Sequence, residues 1–313
     1  MRPLLVAWLA RHGLPSWLAP DYFQLASIAT LVGSALALHL AARDGASRRH
    51  TAYAIASAYV GALCGGYLFE ALRAVPAAVA AASWGPVLHP GRAAYGGLLF
   101  AIGAAALYLR RAGQPLAPFF DRVAIGVGLT FALVRTGCFL AGCDYGLPTA
   151  HAWGVRFPPG SLAALEHARR GFVPRGASSL PVHPTQLYEV AVGLLAAVLS
   201  AIPVLRGRRD GRAFATFLVT YAVGRFAIEF LRGDSDRGLA LGLSTAQWVS
   251  VAVVAALVAI PARRWAVRRR LGRRGSSLGR RAFGRRDGFR EPLGEVLGGA
   301  GVGGVEVEVG DGG

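Results

Sequence analysis

Residues 123–140 read VAIGVGLTFALVRTGCFL, an apolar run broken by one charge, Arg135. A run of this length crosses a lipid bilayer as a single helix, since about 20 residues at 1.5 Å each span the hydrocarbon. Six further blocks have the same character: Tyr22–Ala42, Thr51–Leu72, the slightly short Ala93–Leu109, Leu187–Leu205, Phe214–Leu231 and Leu239–Ile260. Backbone polar groups in lipid must pair internally, so each block is read as a helix. The fold class that follows is all-α, a polytopic membrane protein with seven transmembrane helices. Composition agrees: only 16% of the 313 residues are charged and 54% are hydrophobic, whereas a soluble domain carries about 25% charged residues.

The basic residues fix an expected orientation. All 34 are arginine, the formal net charge is +17, and they gather between the apolar blocks. Arg43, Arg48 and Arg49 follow the first block, Arg110, Arg111 and Arg122 flank the loop after the third, Arg206, Arg208, Arg209 and Arg212 fill the turn after the fifth, and a dense run from Arg263 to Arg274 follows the seventh. The positive-inside rule makes these four regions cytoplasmic and places the N-terminus outside and the C-terminus inside. The segments Arg73–Arg92, Gly142–Pro184 and Arg232–Gly238 then lie outside, although Arg156, Arg169, Arg170 and Arg175 weaken the rule in the longest of them. A protein this basic could bind nucleic acid. Topology already accounts for these arginines, so no nucleic-acid partner is expected.

The outer segment Gly142–Pro184 reads as a small head, with one short helix around Ser161–Arg170. The chain divides into a membrane-embedded domain, 1–262, and a tail, 263–313, first basic and then glycine-rich, with a composition that buries no core. In the opening MRPLLVAWLARHGLP, Arg11, His12 and Pro15 stand where a small-residue cleavage site would be needed, so it does not read as a removable signal peptide. Cys64, Cys138 and Cys143 contain no C-x-x-C pair, which argues against a thiol oxidoreductase or a structural zinc site. Cys64 is expected to pack within the second span. Cys138 and Cys143 are read as unlinked, because five residues on a helix do not place them side by side; a bridge would need the helix to end between them, as Gly142 allows.

Ionisable residues inside membrane spans are costly and therefore mark candidate sites. In TYAVGRFAIEFLRGD (220–234), Tyr221, Arg225, Glu229 and Arg232 fall on one helical face and must point into the bundle or a cavity; the alternative is a structural Arg–Glu pair. In VHPTQLYE (182–189), Pro184 suits the first helical position, and His183, Gln186, Tyr188 and Glu189 enter the outer membrane region together; a capping role for His183 is the alternative. In LVRTGCFLAGCDYGLPT (133–149), Arg135 lies within an apolar helix and wants an anion, a lipid phosphate being the commonest at that depth, unless it snorkels to the headgroups. In GRAAYGGLLF (91–100), Tyr95 precedes Gly96 and Gly97, a pair that permits close approach by a lipid or a helix.

Together these stretches, with HAWGVRFP (151–158), resemble the prolipoprotein diacylglyceryl transferase family, in order and topology, from about Tyr22 to Ile260. The resemblance implies transfer of the diacylglyceryl group of phosphatidylglycerol to the thiol of a lipobox cysteine in a prolipoprotein signal peptide, in the bacterial inner membrane and surrounded by membrane lipids. It places Arg135 and Arg225 on the family's essential arginines, with Tyr95 and His183 as the other catalytic candidates. Tyr22, Gly96, Gly97, Gln186, Tyr188, Glu189, Tyr221 and Glu229 fall on substrate-binding positions. No metal or organic cofactor is implied. The chain departs from the family at four places: Tyr95 replaces histidine, Cys138 asparagine, Cys143 glutamate and Val134 a glycine. These departures leave the phosphate-binding half intact and open two alternatives, a transferase with a different acceptor and a non-catalytic lipid-binding membrane protein. A transporter is less well supported, since the sequence has no internal repeat.

Overall fold

The computed structural model of the chain describes residues 1–88, 94–233 and 239–259. The expected tail, 263–313, and its boundary lie outside the described residues, as do Ile260, Arg92 and Asp234. Residues Met1–Val258 form one compact unit. Along the described chain run α1 (Arg2–Arg11), a short 3-10 helix (Ser16–Leu18), α2 (Tyr22–Arg43), α3 (Arg48–Ala80), α4 (Gly85–Leu88), α5 (Ala94–Arg111), α6 (Leu116–Ala141), α7 (Leu162–Arg169), α8 (Thr185–Leu205) and α9 (Arg212–Glu229). A two-residue hairpin, β1 (Leu239–Ala240) with β2 (Leu243–Ser244), precedes a last apolar helix, α10 (Thr245–Ala259).

A helix occupies each of the seven apolar blocks. Four of them, α2, α3, α6 and α8, are long and apolar enough to cross a membrane by length and composition. Helix α9 is less apolar and carries Arg225 and Glu229 toward its end. Large apolar side chains such as Phe23, Leu31, Val60, Leu63 and Val198 are exposed on α2, α3 and α8. On a protein in water these would form a sticky surface; on a membrane protein they are the lipid-facing surface.

Several boundaries differ from those read in the sequence. Helix α3 runs on past Leu72 through Pro76 to Ala80, so much of the expected outer loop Arg73–Arg92 is helix. Helix α6 starts at Leu116 rather than Val123 and takes Asp121 and Arg122 inside it, because both find partners. The Arg122 guanidinium donates to Asp44 at 2.8 Å, and Asp121 accepts the backbone N–H groups of Gly211 at 2.7 Å and Phe214 at 3.0 Å, capping α9 from a neighbouring helix. Pro184 is the N-cap residue of α8, one position before the first helical turn. The seventh block begins as the β1–β2 hairpin, and helix starts only at Thr245. Cys64, expected to pack inside, is exposed on α3.

Helix α6 is the centre of the bundle, packed against α2, α8 and α9, while α3 pairs with α5. Lipid tails are as apolar as leucine, so helices associate through close packing rather than a hydrophobic drive. Gly33 and Gly126 let α2 and α6 touch: a Cβ on Gly126 would sit 2.9 Å from the Gly33 Cα. Buried Ala124, Ala196 and Ala213 fill the space between α6, α8 and α9, with Phe217 and Tyr221 stacked beside Phe131. The head holds its own small core of Tyr145, Phe157, Ala163 and Val182. Its helix α7 is capped by Ser161, whose hydroxyl accepts the Ala164 N–H.

Asp44 joins Arg122 and Arg209 at the end of the bundle away from the head, 2.6 Å from the Arg209 Nε. Hydrogen bonds from Arg209, then Arg122, outweigh burial and hold its carboxyl below the ordinary carboxylate range. A depressed native pKa adds stability that is complete at neutral pH and lost as the pH falls through the native value. Asp44→Asn is therefore expected to cost about 2 kcal/mol at neutral pH, with the difference from wild type shrinking in acid, as read by thermal unfolding in detergent across a pH series. Asp121→Ala, which strips two backbone donors of their acceptor, is expected to cost about 2 kcal/mol or more in the same assay.

Candidate functional site

The site forms where the head meets the ends of α6, α8 and α9. Arg135 lies on the last two turns of α6 and Glu189 on the first turns of α8, with Arg225 and Glu229 at the end of α9. Arg232 follows α9 and is tied to the head by a bridge to Gly146. The i, i+4 spacing read in the sequence sets Arg225 against Glu229.

Among the described residues, three guanidinium groups meet three carboxylates here. Glu189, 1% exposed, has the Arg135 Nε at 2.6 Å, the Arg232 Nη1 at 3.8 Å and the Arg225 Nε at 3.9 Å. Among the described residues neither Glu189 oxygen receives an aligned hydrogen bond, so charge holds it here rather than hydrogen-bond geometry. Asp144 bridges two arginines, one per oxygen: Arg135 Nη1 at 2.9 Å and Arg232 Nη2 at 2.6 Å. Burial alone would raise the Asp144 pKa, but the charges of Arg135 and Arg232 outweigh it and hold the carboxyl well below its usual range. Pairing of this kind is what allows arginines to be buried at all. The arginines thus converge through Glu189; Arg135 and Arg232 also share Asp144, and Arg225 also pairs with Glu229.

The other candidates take distinct places. Gln186 and Thr185, both fully buried, donate to the carbonyl oxygens of Cys143 at 2.6 Å and Asp144 at 2.7 Å, pinning the segment after α6. Tyr221 is buried one turn before Arg225 and stacks on Phe217. Tyr22 opens α2 and lies over Gly137, where a Cβ would come within 3.1 Å of the Tyr22 Cα. His183 and Tyr188 stand together on the head side: they share a hydrogen bond at 3.3 Å, the Trp153 Nε1 donates to the Tyr188 hydroxyl at 3.0 Å, and His151 stacks on Trp153. Gly96 and Gly97 face α3, a Cβ on Gly97 falling 3.1 Å from the Ala62 carbonyl oxygen. Tyr95 belongs to α5, and its side chain lies outside the described part of the chain.

Asp144 was not singled out in the sequence, although it lies in the motif after Arg135. Helical periodicity does not pair residues nine apart. The pairing arises because Gly142 ends α6 in a left-handed conformation, φ 78°, and turns the chain back on itself. The sequence places Arg232 on the face that points into the bundle, but a helix-face argument does not reveal that it shares Asp144 with Arg135.

The model of one protein family, described as prolipoprotein diacylglyceryl transferase, matches residues 21–262. Among curated proteins, the phosphatidylglycerol–prolipoprotein diacylglyceryl transferase of Clostridium tetani is 33% identical over 157 residues, 50% of this chain and 57% of that protein. The enzyme of the same name from Methylibium petroleiphilum is 37% identical over 182 residues, 57% of this chain and 63% of the relative. That of Aromatoleum aromaticum is 34% identical over 209 residues, 63% and 71%. The chain thus spans somewhat over half the length of the first two.

The carboxylates differ in how deeply they are held: the Asp144 side chain is 29% exposed and that of Glu189 1%. Glu189→Gln, which leaves three buried arginines short of charge, is expected to cost about 3–5 kcal/mol. Asp144→Asn should cost clearly less, and thermal unfolding of the two variants in detergent measures the difference.

Proposed function

The chain belongs to the prolipoprotein diacylglyceryl transferase family, and from that premise we propose that it moves the diacylglyceryl group of phosphatidylglycerol onto the thiol of a lipobox cysteine. The observation that carries this reading is the anion seat between Arg135 and Arg232. There the two oxygens of one carboxylate, Asp144, each hold a different guanidinium. A phosphate offers the same pair of oxygens, and planar guanidinium groups hold it with two hydrogen bonds each. Asp144 sits on a loop and is the most exposed of the three carboxylates, so it is the one a lipid phosphate displaces.

In this mechanism the acceptor thiolate attacks a glycerol carbon of the lipid. The carbon–sulfur bond forms, the carbon–oxygen bond to phosphate breaks, and its electron pair leaves on glycerol phosphate. Arg135 and Arg232 hold the phosphate, and Arg225, joined to them through Glu189, adds positive charge as negative charge develops on the leaving group. Glu229 and Tyr221 position Arg225, and Glu189 holds the arginines at one point. Tyr22, over Gly137, and the turn made by Gln186 border the lipid headgroup. His183 with Tyr188, and Tyr95, serve the acceptor side, while Gly96 and Gly97 let α5 pack closely on α3. An apolar cavity of about 190 Å³, lined by Gly33, Tyr59, Ile102, Phe120 and Thr130, lies further along α6 and suits an acyl chain.

The arginine-rich turns support an orientation with the N-terminus outside, the C-terminus cytoplasmic and the site near the outer face of the bacterial inner membrane. The membrane-embedded part ends near 262, and the basic tail lies on the cytoplasmic side.

Purified protein in vesicles of phosphatidylglycerol, given a lipobox peptide, should yield a thioether-linked lipopeptide and glycerol phosphate. Arg135→Ala and Arg225→Ala should each lower that rate by about 10²-fold or more while the protein remains inserted. Full activity in both variants would overturn the mechanism, and lipid binding with no glycerol phosphate released to any acceptor would favour a non-catalytic lipid-binding protein.

A further inference from the structure

The end of α6 gathers three ligand atoms that the phosphate seat does not use together. Gly142 closes the helix, and the N–H groups of Gly142 and Cys143 both return to the Cys138 carbonyl, at 2.8 and 3.2 Å. On a continuing helix, residues five apart would point to different sides. Here the reversal instead brings the sulfurs of Cys138 and Cys143 and a carboxylate oxygen of Asp144 within 4.8 Å of one another. Both cysteines are free thiols; Cys138 is buried, and Cys143 and Asp144 are half-buried.

The surroundings of this cluster are built. The first turn of α8 fixes the backbone of two of its members, Thr185 on the Asp144 carbonyl and Gln186 on the Cys143 carbonyl. Arg135 and Arg232 orient the Asp144 carboxylate, and the Arg135 Nη1 lies 3.9 Å from the Cys138 sulfur. Groups that orient the ligands from outside are what separate a metal site from a chance cluster.

We propose that Cys138, Cys143 and Asp144 form a binding site for a zinc-class divalent cation, with a fourth position open to the acceptor thiol. Two thiolates and a carboxylate select a borderline-soft ion, and three protein ligands with one position free is the arrangement of reactive rather than structural zinc. Binding displaces the thiol protons of Cys138 and Cys143 to water, and a divalent cation on the three anionic ligands then leaves one net negative charge, which the Arg135 guanidinium faces. The carboxylate has lone pairs enough to accept the metal and keep one arginine. Moving Asp144 toward the metal also loosens its hold on Arg135 or Arg232, where the phosphate is to bind. The acceptor part of the proposal rests on the transferase reading. On coordination the acceptor S–H gives its proton to water, since a metal-bound thiol is deprotonated. The sulfur lone pair then forms the bond to the glycerol carbon while the carbon–oxygen bond breaks onto the phosphate; nothing is oxidised or reduced.

The test uses the full-length protein in detergent, reduced and stripped of metal, titrated with Co²⁺ as the spectroscopic stand-in and with Zn²⁺ against a chromophoric chelator. One ion per chain and a thiolate-to-cobalt charge-transfer band are expected. The band should vanish in Cys138→Ser and Cys143→Ser and persist in Cys64→Ser, while Asp144→Asn weakens binding by about 10-fold or more. A lipobox peptide added without any phosphatidylglycerol should shift the spectrum, and its cysteine-to-serine counterpart should not. Absence of the band, its survival in both serine variants of the pair, or a spectrum indifferent to the thiol peptide would overturn the proposal. None of these readouts requires transfer, so their failure leaves the transferase reading standing. Absence of lipopeptide from the metal-loaded protein would count against that reading alone.

Discussion

Three arginines cannot sit among apolar helices without partners, and the head end of this bundle is organised around that constraint. A buried guanidinium that loses its water must regain the energy from opposite charge held at short range. Glu189 supplies the common partner, drawing Arg135 from α6, Arg225 from α9 and Arg232 from the segment beyond it to one point. The relative register of α6, α8 and α9 follows from this convergence as much as from the alanines packed between them. The head is tied into the same network, since Asp144 joins it to Arg135 and Arg232 and α8 holds the Asp144 and Cys143 carbonyls.

The opposite end repeats the principle with other residues. Asp44 gathers Arg122 and Arg209, and Asp121 accepts two backbone donors at the start of α9. Between the two polar ends the helices meet through glycine and alanine, as at Gly33 and Gly126. This division of labour suits a membrane. Apolar contact distinguishes one helix partner from another poorly when the solvent is itself hydrocarbon, so close-fitting backbones and charge networks carry the specificity.

The same network bears on chemistry. A pocket with matched charges does not attract an anion strongly unless one of its own anions can leave. Asp144 is suited to that exchange by its place on a loop after a helix end, and its neighbours Cys138 and Cys143 offer a destination if they hold a cation. Anion seat and thiol cluster share Arg135 as a common wall. Asp144 belongs to both, so events at one are felt at the other through these two side chains.

The sequence by itself determined the predominantly helical membrane architecture, because a continuous apolar block of about 20 residues satisfies its own backbone in hydrocarbon as a helix, and such blocks are visible without any structure. It also singled out Arg135, Arg225, Glu189 and Glu229, because charge inside a span is conspicuous, and it paired Arg225 with Glu229 by helical spacing. Only the tertiary structure decided which charges meet across helices. Asp144 reaches Arg135 through a left-handed glycine turn, Arg232 reaches Asp144 across 88 residues, and Asp121 caps a helix some 90 positions away. Helical period relates residues within one helix; contacts made after a chain reversal, or between helices, depend on packing that no local pattern encodes.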